Sequence, residues 1–181
     1  MRHFLLCGMA ALTGILLAAP LSASAHAGEA KAATLGPSGL PLPRFVSIKA
    51  SKVNLRIGPG TNYPVDWMYV RQGLPLEIIQ EYSNWRRVRD ADGTEGWISQ
   101  ALLSGKRTAV VEPWNAGKTA LADLRSGPSG DAGRVARVEP GAIGTVTSCS
   151  GQWCHVDFSG TEGWMEQAQL WGVYPGEKVD D

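Results

Sequence analysis

Few residues in this chain of 181 residues are of a type and spacing that could carry chemistry. His155 adjoins Cys154, the types needed for a nucleophile and its base. Neighbours on a strand point to opposite faces, however, and an oxidised cysteine is no nucleophile, so the two are not expected to act together. Asp90 and Asp92 are close carboxylates, but they flank a turn sequence and are better explained as turn formers than as an acid–base pair. With only His155 securely in the fold, no His/Cys cluster of zinc-ligand type can be assembled. No catalytic residue, metal site or cofactor is expected, and the chain does not read as an enzyme.

What remains suits binding. Tyr63, Trp67 and Tyr69 follow a Gly-Pro-Gly turn, Trp85 opens a strand directly after another turn, and Arg86, Arg87 and Arg89 follow it closely. Together they would offer a flat apolar platform beside guanidinium groups that can pair with carboxylates. Trp67 has an alternative role, filling a contact between the two halves of the chain. The ring of Trp85, like that of Trp153, has either one face exposed or both covered. Leu55 and Leu124 read as core, and Arg56 and Arg125, alternating with them, are expected to hold a Gly-Pro loop through its carbonyls. Trp97 and Trp164 each follow a glycine in a hairpin strand and are read as core, the glycine allowing close backbone approach.

These candidates sit in a pattern written twice. Residues 53–59 read Val-Asn-Leu-Arg-Ile-Gly-Pro and residues 122–128 read Ala-Asp-Leu-Arg-Ser-Gly-Pro. Each copy then reaches a glycine (Gly73, Gly141), a short apolar strand and a tryptophan (Trp85, Trp153), and ends on Thr-Glu-Gly-Trp at 94–97 and 161–164. A duplicated unit of about 60 residues is a module, and such modules more often bind than catalyse. Within each copy, alternation and turn signals give short strands: 53–56, 67–70, 76–82, 85–89 and 95–98, with a helical turn near 99–103 and a closing strand at 108–111. The Asp92-Gly93 step suggests a type I′ hairpin turn. No segment has the length and period of a full helix. The expected class is all-β: two small barrels in tandem, residues 44–112 and 113–181, closed to remove exposed edges.

The ends and the composition bound the setting. Arg2 and His3 precede an apolar run over 4–19 and a small-residue cleavage signal at 23–25, so residues 1–25 read as a signal peptide and the mature chain as starting near His26. The run is too short for a stable membrane span. Residues 26–43, rich in Ala, Gly, Ser and Pro, read as a flexible tether. Without residues 1–25 the chain holds 16 Lys/Arg against 17 Asp/Glu, which argues against a nucleic-acid or membrane-surface partner. Residues 44–107 hold ten bases and six acids, whereas 108–181 hold five and ten. Either the halves attract one another, or the first meets an anionic polymer. Cys149 and Cys154 form an even pair in an oxidising compartment, so a disulfide across a hairpin end is expected. Aligning the copies places Glu81 and Arg86 at those two positions, where a cross-strand ion pair would replace the bond.

The motifs Asn-Leu-Arg-x-Gly-Pro-Gly at 54–60, Asn-Trp-Arg-Arg-Val at 84–88 and Glu-Gly-Trp-Ile at 95–98 resemble a bacterial SH3-like domain. The second copy and its tail, Leu-Trp-Gly-Val-Tyr-Pro-Gly-Glu at 170–177, resemble the tandem SH3-like periplasmic proteins of alphaproteobacteria. The resemblance implies small β-barrels, export to the periplasm or beyond, and binding of peptidoglycan, its stem peptide or another periplasmic protein or peptide. In such proteins the domain often sits beside a hydrolase. Polyproline recognition does not carry over, because the aromatic segment that eukaryotic relatives use is replaced by Asn-Leu-Arg-Ile-Gly-Pro at 54–59. Ligand binding is therefore expected in the first module, through Tyr63, Trp67, Tyr69, Trp85, Arg86, Arg87 and Arg89. An adaptor that docks partners through the Trp171 to Tyr174 tail is the alternative.

Overall fold

The computed structural model describes residues 34–115 and 117–180. The expected signal peptide and residues 26–33 of the expected tether lie outside the described residues. From residue 34 the chain is not a free tether. Strands β1 (Thr34–Leu35) and β2 (Pro41–Leu42) form a small antiparallel hairpin. The backbone N–H and hydroxyl of Ser38 at its tip each donate to the Glu81 carboxylate at 2.8 Å. A carboxylate taken out of water needs such donors, and this need fastens the hairpin to the barrel that follows.

The first barrel comprises β3 (Arg44–Ile48), β4 (Val53–Arg56), β5 (Val65–Tyr69), β6 (Pro75–Tyr82), β7 (Trp85–Arg89), β8 (Glu95–Ser99) and β9 (Leu103–Ser104). Its strands pair in the order β5-β4-β8-β7-β6-β3-β9. The second comprises β10 (Thr108–Val111), β11 (Ala122–Arg125), β12 (Arg134–Val138), β13 (Ile143–Ser150), β14 (Trp153–Phe158), β15 (Thr161–Glu166) and β16 (Leu170–Trp171). Its order, β12-β11-β15-β14-β13-β10-β16, repeats the first strand for strand, and β17 (Lys178–Val179) adds to β13. The sequence repeat is thus a repeat of topology, and the chain is all-β, two small SH3-like barrels.

Register irregularities recur at matching places, between Leu55/Arg56 and Leu124/Arg125 and between Ile78/Gln80 and Val146/Ser148. Bulges of this kind add the twist that lets a short sheet curl closed. Each barrel has its own core. Ile48, Leu55, Leu76, Ile78, Val88 and Ile98 fill the first, and Val111, Leu124, Cys154, Val156 and Met165 fill the second. Leu55 and Leu124 are fully buried, as alternation requires, and such a side chain contributes roughly 1.5–3 kcal/mol of transfer free energy.

Three expectations change. Residues 108–111 do not close the first barrel. They form β10, which pairs with β13 and β16 as β3 pairs with β6 and β9, so the modules divide at residues 105–107. Trp97 and Trp164 are half-buried rather than core. The inward positions of β8 and β15 belong to Gly96 and Ile98 and to Gly163 and Met165, and alternation turns the tryptophans to the other face. A Cβ on Gly96 would lie 2.9 Å from the Arg56 carbonyl oxygen, and one on Gly163 2.7 Å from that of Arg125. The glycines do serve close backbone approach. Finally, the β7–β8 connection is no two-residue type I′ turn. Gly93 has φ of 85°, and the Asp90 carboxylate accepts from the backbone N–H of Asp92 at 3.0 Å and Thr94 at 2.8 Å. Asp90 is a turn former, as expected.

Candidate functional site

The modules meet through the tail of the second and the first sheet of the first. Phe45, buried on β3, lies edge-on to Trp171 at 5.3 Å and tilted on Tyr174 at 4.7 Å between ring centroids. The Tyr174 hydroxyl donates to Glu77 Oε1 at 3.0 Å. Arg89 donates to Oε2 of the same carboxylate through Nε at 3.0 Å and Nη2 at 2.6 Å. Burial, and then the Glu77 charge, pushes the Tyr174 hydroxyl far above the usual tyrosine range, so it stays a donor. Two direct hydrogen bonds flank this cluster: Arg71 to the Gly141 carbonyl at 3.0 Å and Thr108 Oγ1 to the Gly73 carbonyl at 2.7 Å. Among the described residues no ion pair joins the barrels, and the direct contacts are aromatic and hydrogen-bonded.

The tail is held in place from below. Arg107 grips the Glu177 carboxylate with both terminal nitrogens, at 2.9 and 3.0 Å. Buried Gln167 donates to the Glu177 carbonyl at 2.6 Å and accepts from the Gly176 N–H at 2.9 Å. Val179 then pairs with Cys149 in β13. The Trp171 to Tyr174 segment is therefore not a free docking arm. It docks inside its own chain.

Either side of this contact is hollow. A cavity of about 1020 Å³, mostly apolar, runs from Arg89 and Asp90 past Trp171 and Tyr174 to Trp114 and Trp153. A smaller one of about 390 Å³ is lined by Trp67, Tyr69, Arg71, Asp92 and Trp171. Both include Asp90, Ala91 and Trp171, so the two hollows adjoin and are taken together as the inter-module cleft. The indole nitrogen of Trp171 is buried without a hydrogen-bond partner among the described residues.

Of the seven residues expected to bind, Trp67, Tyr69 and Arg89 line this cleft, whereas Tyr63, Trp85, Arg86 and Arg87 do not. Trp67 is 58% exposed and stands at the rim, with Val110 and Gly141 of the second module lining the same hollow. Tyr69 is core instead of surface. Its hydroxyl donates to Asp90 Oδ2 at 2.9 Å, and burial followed by the Asp90 charge raises its pKa well out of range. Arg86 is also buried, because it alternates with Trp85 and Arg87 on β7 and points inward with Val88. It meets Glu81 at 3.2 Å in the register of the disulfide: Glu81 faces Arg86 as Cys149 faces Cys154. That ion pair was expected, and it is buried. All three arginines have internal partners, Arg87 with Glu95 at 2.9 Å and Arg89 with Glu77, so the free positive cluster expected here does not exist.

Other expectations hold. Arg56 and Arg125 donate to the Tyr63 and Ala132 carbonyls at 2.6 and 3.0 Å and so brace the Gly-Pro loops. Cys149 and Cys154 are disulfide-bonded. His155 Nδ1 is 2.9 Å from Thr147 Oγ1, and its ring packs edge-on against Trp164 at 5.3 Å, facing away from the oxidised Cys154. Sequence reasoning missed Phe45, Trp114 and Trp153 as cleft residues, since only the contact between modules brings them together. A polar cavity of about 380 Å³ on the second module adjoins the larger one at Trp153 and Glu166 and is lined also by Asp123, Arg125, Arg134 and Arg137. Among the described residues, no helix is long and apolar enough to cross a membrane, and no group of three or more His, Cys, Asp or Glu could hold a metal ion.

Two tandem barrels of one topology, each carrying the Leu-Arg braced loop and the Glu-Gly-Trp strand, define an SH3-like protein. The bacterial SH3 domain family matches residues 49–105 and again 118–172, more than half of the chain, and the protein belongs to that family. A Bacillus subtilis (strain 168) protein named "Putative N-acetylmuramoyl-L-alanine amidase YrvJ" is 26% identical over an alignment of 130 residues that covers 65% of this chain. The match spans 25% of that relative's length. Among solved structures, NlpC2 from Trichomonas vaginalis is similar with a TM-score of 0.32 and 14% identity, over 73% of this chain and 49% of that one. An NlpC/P60 family protein from Bacillus cereus ATCC 10987 has a TM-score of 0.32 and 12% identity, over 71% and 56%. At that level of similarity neither structure bears on function.

Proposed function

We propose that this protein is an exported, non-catalytic binding module of the periplasm, cleaved near Ala25, whose inter-module cleft takes peptidoglycan: its glycan strand or the attached stem peptide. One observation carries the reading. The cleft is an open, mainly apolar trough in which Trp67, Trp114, Trp153, Trp171 and Tyr174 stand beside Asp90, Gln152 and Glu166. Sugar rings present apolar C–H faces and polar hydroxyl edges, which such a mixture of flat rings and acceptors matches. Membership of the bacterial SH3 family and the likeness to a relative named for N-acetylmuramoyl-L-alanine amidase activity support a wall ligand. The disulfide fits an oxidising compartment.

Sedimentation with purified sacculi tests it. The wild-type chain should pellet with sacculi. Trp67→Ala and Trp114→Ala together should abolish pelleting at an unchanged thermal midpoint, because both rings are more than half exposed. A wild-type protein that stays in the supernatant would overturn the reading. The adaptor reading has a different support: Ile57, Val65, Met68 and Val70 are exposed along and beside edge strand β5, an apolar margin suited to a protein partner.

A further inference from the structure

The charged cavity of the second module has no counterpart in the first. Asp123 on β11 faces Arg137 on β12, and Arg125 faces Arg134, so one carboxylate stands in a block with three guanidinium groups. Asp123 lies 3.2 Å from Arg125, 3.5 Å from Arg134 and 3.9 Å from Arg137. Only the first contact is a hydrogen bond, and Arg125 is further tied to the Ala132 carbonyl. Arg134 and Arg137 make no side-chain hydrogen bond to a described residue. Both line a hollow of about 380 Å³.

The fold does not require this charge. At the same register positions the first module has Asn54 facing Met68 and Arg56 facing Val65, and it forms the same β-pair. Only the loop-bracing arginine is common to both. Three guanidinium groups around one carboxylate leave a local excess of positive charge that suits an anionic group. The remaining walls limit which anion. Trp153 and Glu166, cross-strand partners, form the opposite side, and Thr119 and Gln169 contribute neutral hydrogen-bonding groups. A bare phosphate would meet the Glu166 carboxylate. A ligand with a carboxylate at one end and an amine or amide N–H at the other satisfies both walls.

We infer that this cavity binds the free carboxyl end of a short peptide. Arg134 and Arg137 clasp the carboxylate in bidentate fashion, Trp153 packs on the adjoining side chain, and Glu166 accepts from a nitrogen further along. Trp153 and Glu166 also line the large inter-module cavity, so a strand lying in the cleft can reach the arginines with a peptide branch. The inference rests on the wall-binding reading for the source of the peptide, and on Arg134 and Arg137, which the cleft does not include, for its recognition.

The test is a titration of the chain from residue 26 onward with the tripeptide Lys-Ala-Ala, with its C-terminal amide and with inorganic phosphate, following the Trp153 indole N–H by NMR. Forms with L- and D-alanine are both titrated. At least one free acid should bind, shifting the Trp153 resonance, while its amide should bind about tenfold more weakly. Arg134→Gln with Arg137→Gln should produce the same loss. If that double variant fails to fold, Glu166→Gln should weaken the lysyl peptide and leave N-acetyl-Ala-Ala unaffected. Equal binding of acid and amide, or displacement of the peptide by equimolar phosphate, would overturn the inference. Sacculus pelleting lost in wild type with tripeptide binding retained would instead overturn the cleft.

Discussion

Tyr174 and Glu77, 97 residues apart in the chain, are joined by a hydrogen bond of 3.0 Å that fastens the C-terminal tail to the first barrel. Glu77 is buried and already neutralised by Arg89, so the tyrosine hydroxyl satisfies its remaining oxygen rather than its charge. Tyr174→Phe keeps the stack on Phe45 and removes only that donor. We expect a loss of about 1.5 kcal/mol, read as a lower urea midpoint with an unchanged slope. Wild-type stability in the variant would mean that the tail is held by stacking alone.

Glu81 makes the first module sensitive to acid. Burial favours the neutral carboxyl, but the hydrogen bonds from Arg44 and Ser38 outweigh it and hold the pKa at about 2. The folded value lies below the unfolded one, so the stabilisation is complete above pH of about 4.5 and is lost as pH falls towards 2. We expect wild type to lose about 2–3 kcal/mol more than Glu81→Gln between pH 6 and pH 2.5, with the variant weaker at neutral pH. Parallel pH profiles for the two would show that Glu81 is not the titrating group.

The second module depends on its disulfide at the equivalent position. Cys149→Ser with Cys154→Ser should cost roughly 2 kcal/mol, the value for a small closed loop. Protein lacking residues 1–25 should show no free thiol in the native state by thiol titration. Two reactive thiols would sink this expectation.

Backbone crowding gives a fourth stability test. A methyl at Gly163 would press on Leu124 Cγ and the Arg125 carbonyl oxygen, both 2.7 Å from its ideal position. Gly163→Ala should cost about 1–3 kcal/mol in thermal or urea unfolding, whereas Gly141→Ala, with open space around it, suffers only from its positive φ. Equal effects would show that the backbone moves to relieve the clash.

Strand identity, the duplication and the disulfide were legible in the sequence because each depends on neighbours a few residues away. Register transmitted the Glu81–Arg86 substitution from one copy to the other for the same reason. The direction of Trp97 and Trp164 was not legible, because hydrophobicity ranks tryptophan above glycine for the core, while close packing against Leu55 and Leu124 reverses the choice. The arginine cluster misled similarly: Glu77, Glu81 and Glu95 lie on flanking strands, and only pairing shows that they neutralise Arg89, Arg86 and Arg87. The cleft itself needs Phe45 against Trp171 and Tyr174, a long-range contact that neither copy contains alone.

That contact is also asymmetric. The duplicated barrels do not meet through like surfaces. The tail of one lies on the β3–β6 face of the other, a head-to-tail arrangement that could in principle add subunits without end. In the second barrel, Thr108 and Thr145 face one another where Phe45 and Glu77 do in the first. A further tail would find neither an aromatic ring to lie on nor a carboxylate for its hydroxyl. The surface on which the tail rests is thus present on the first barrel and missing at the equivalent positions of the second.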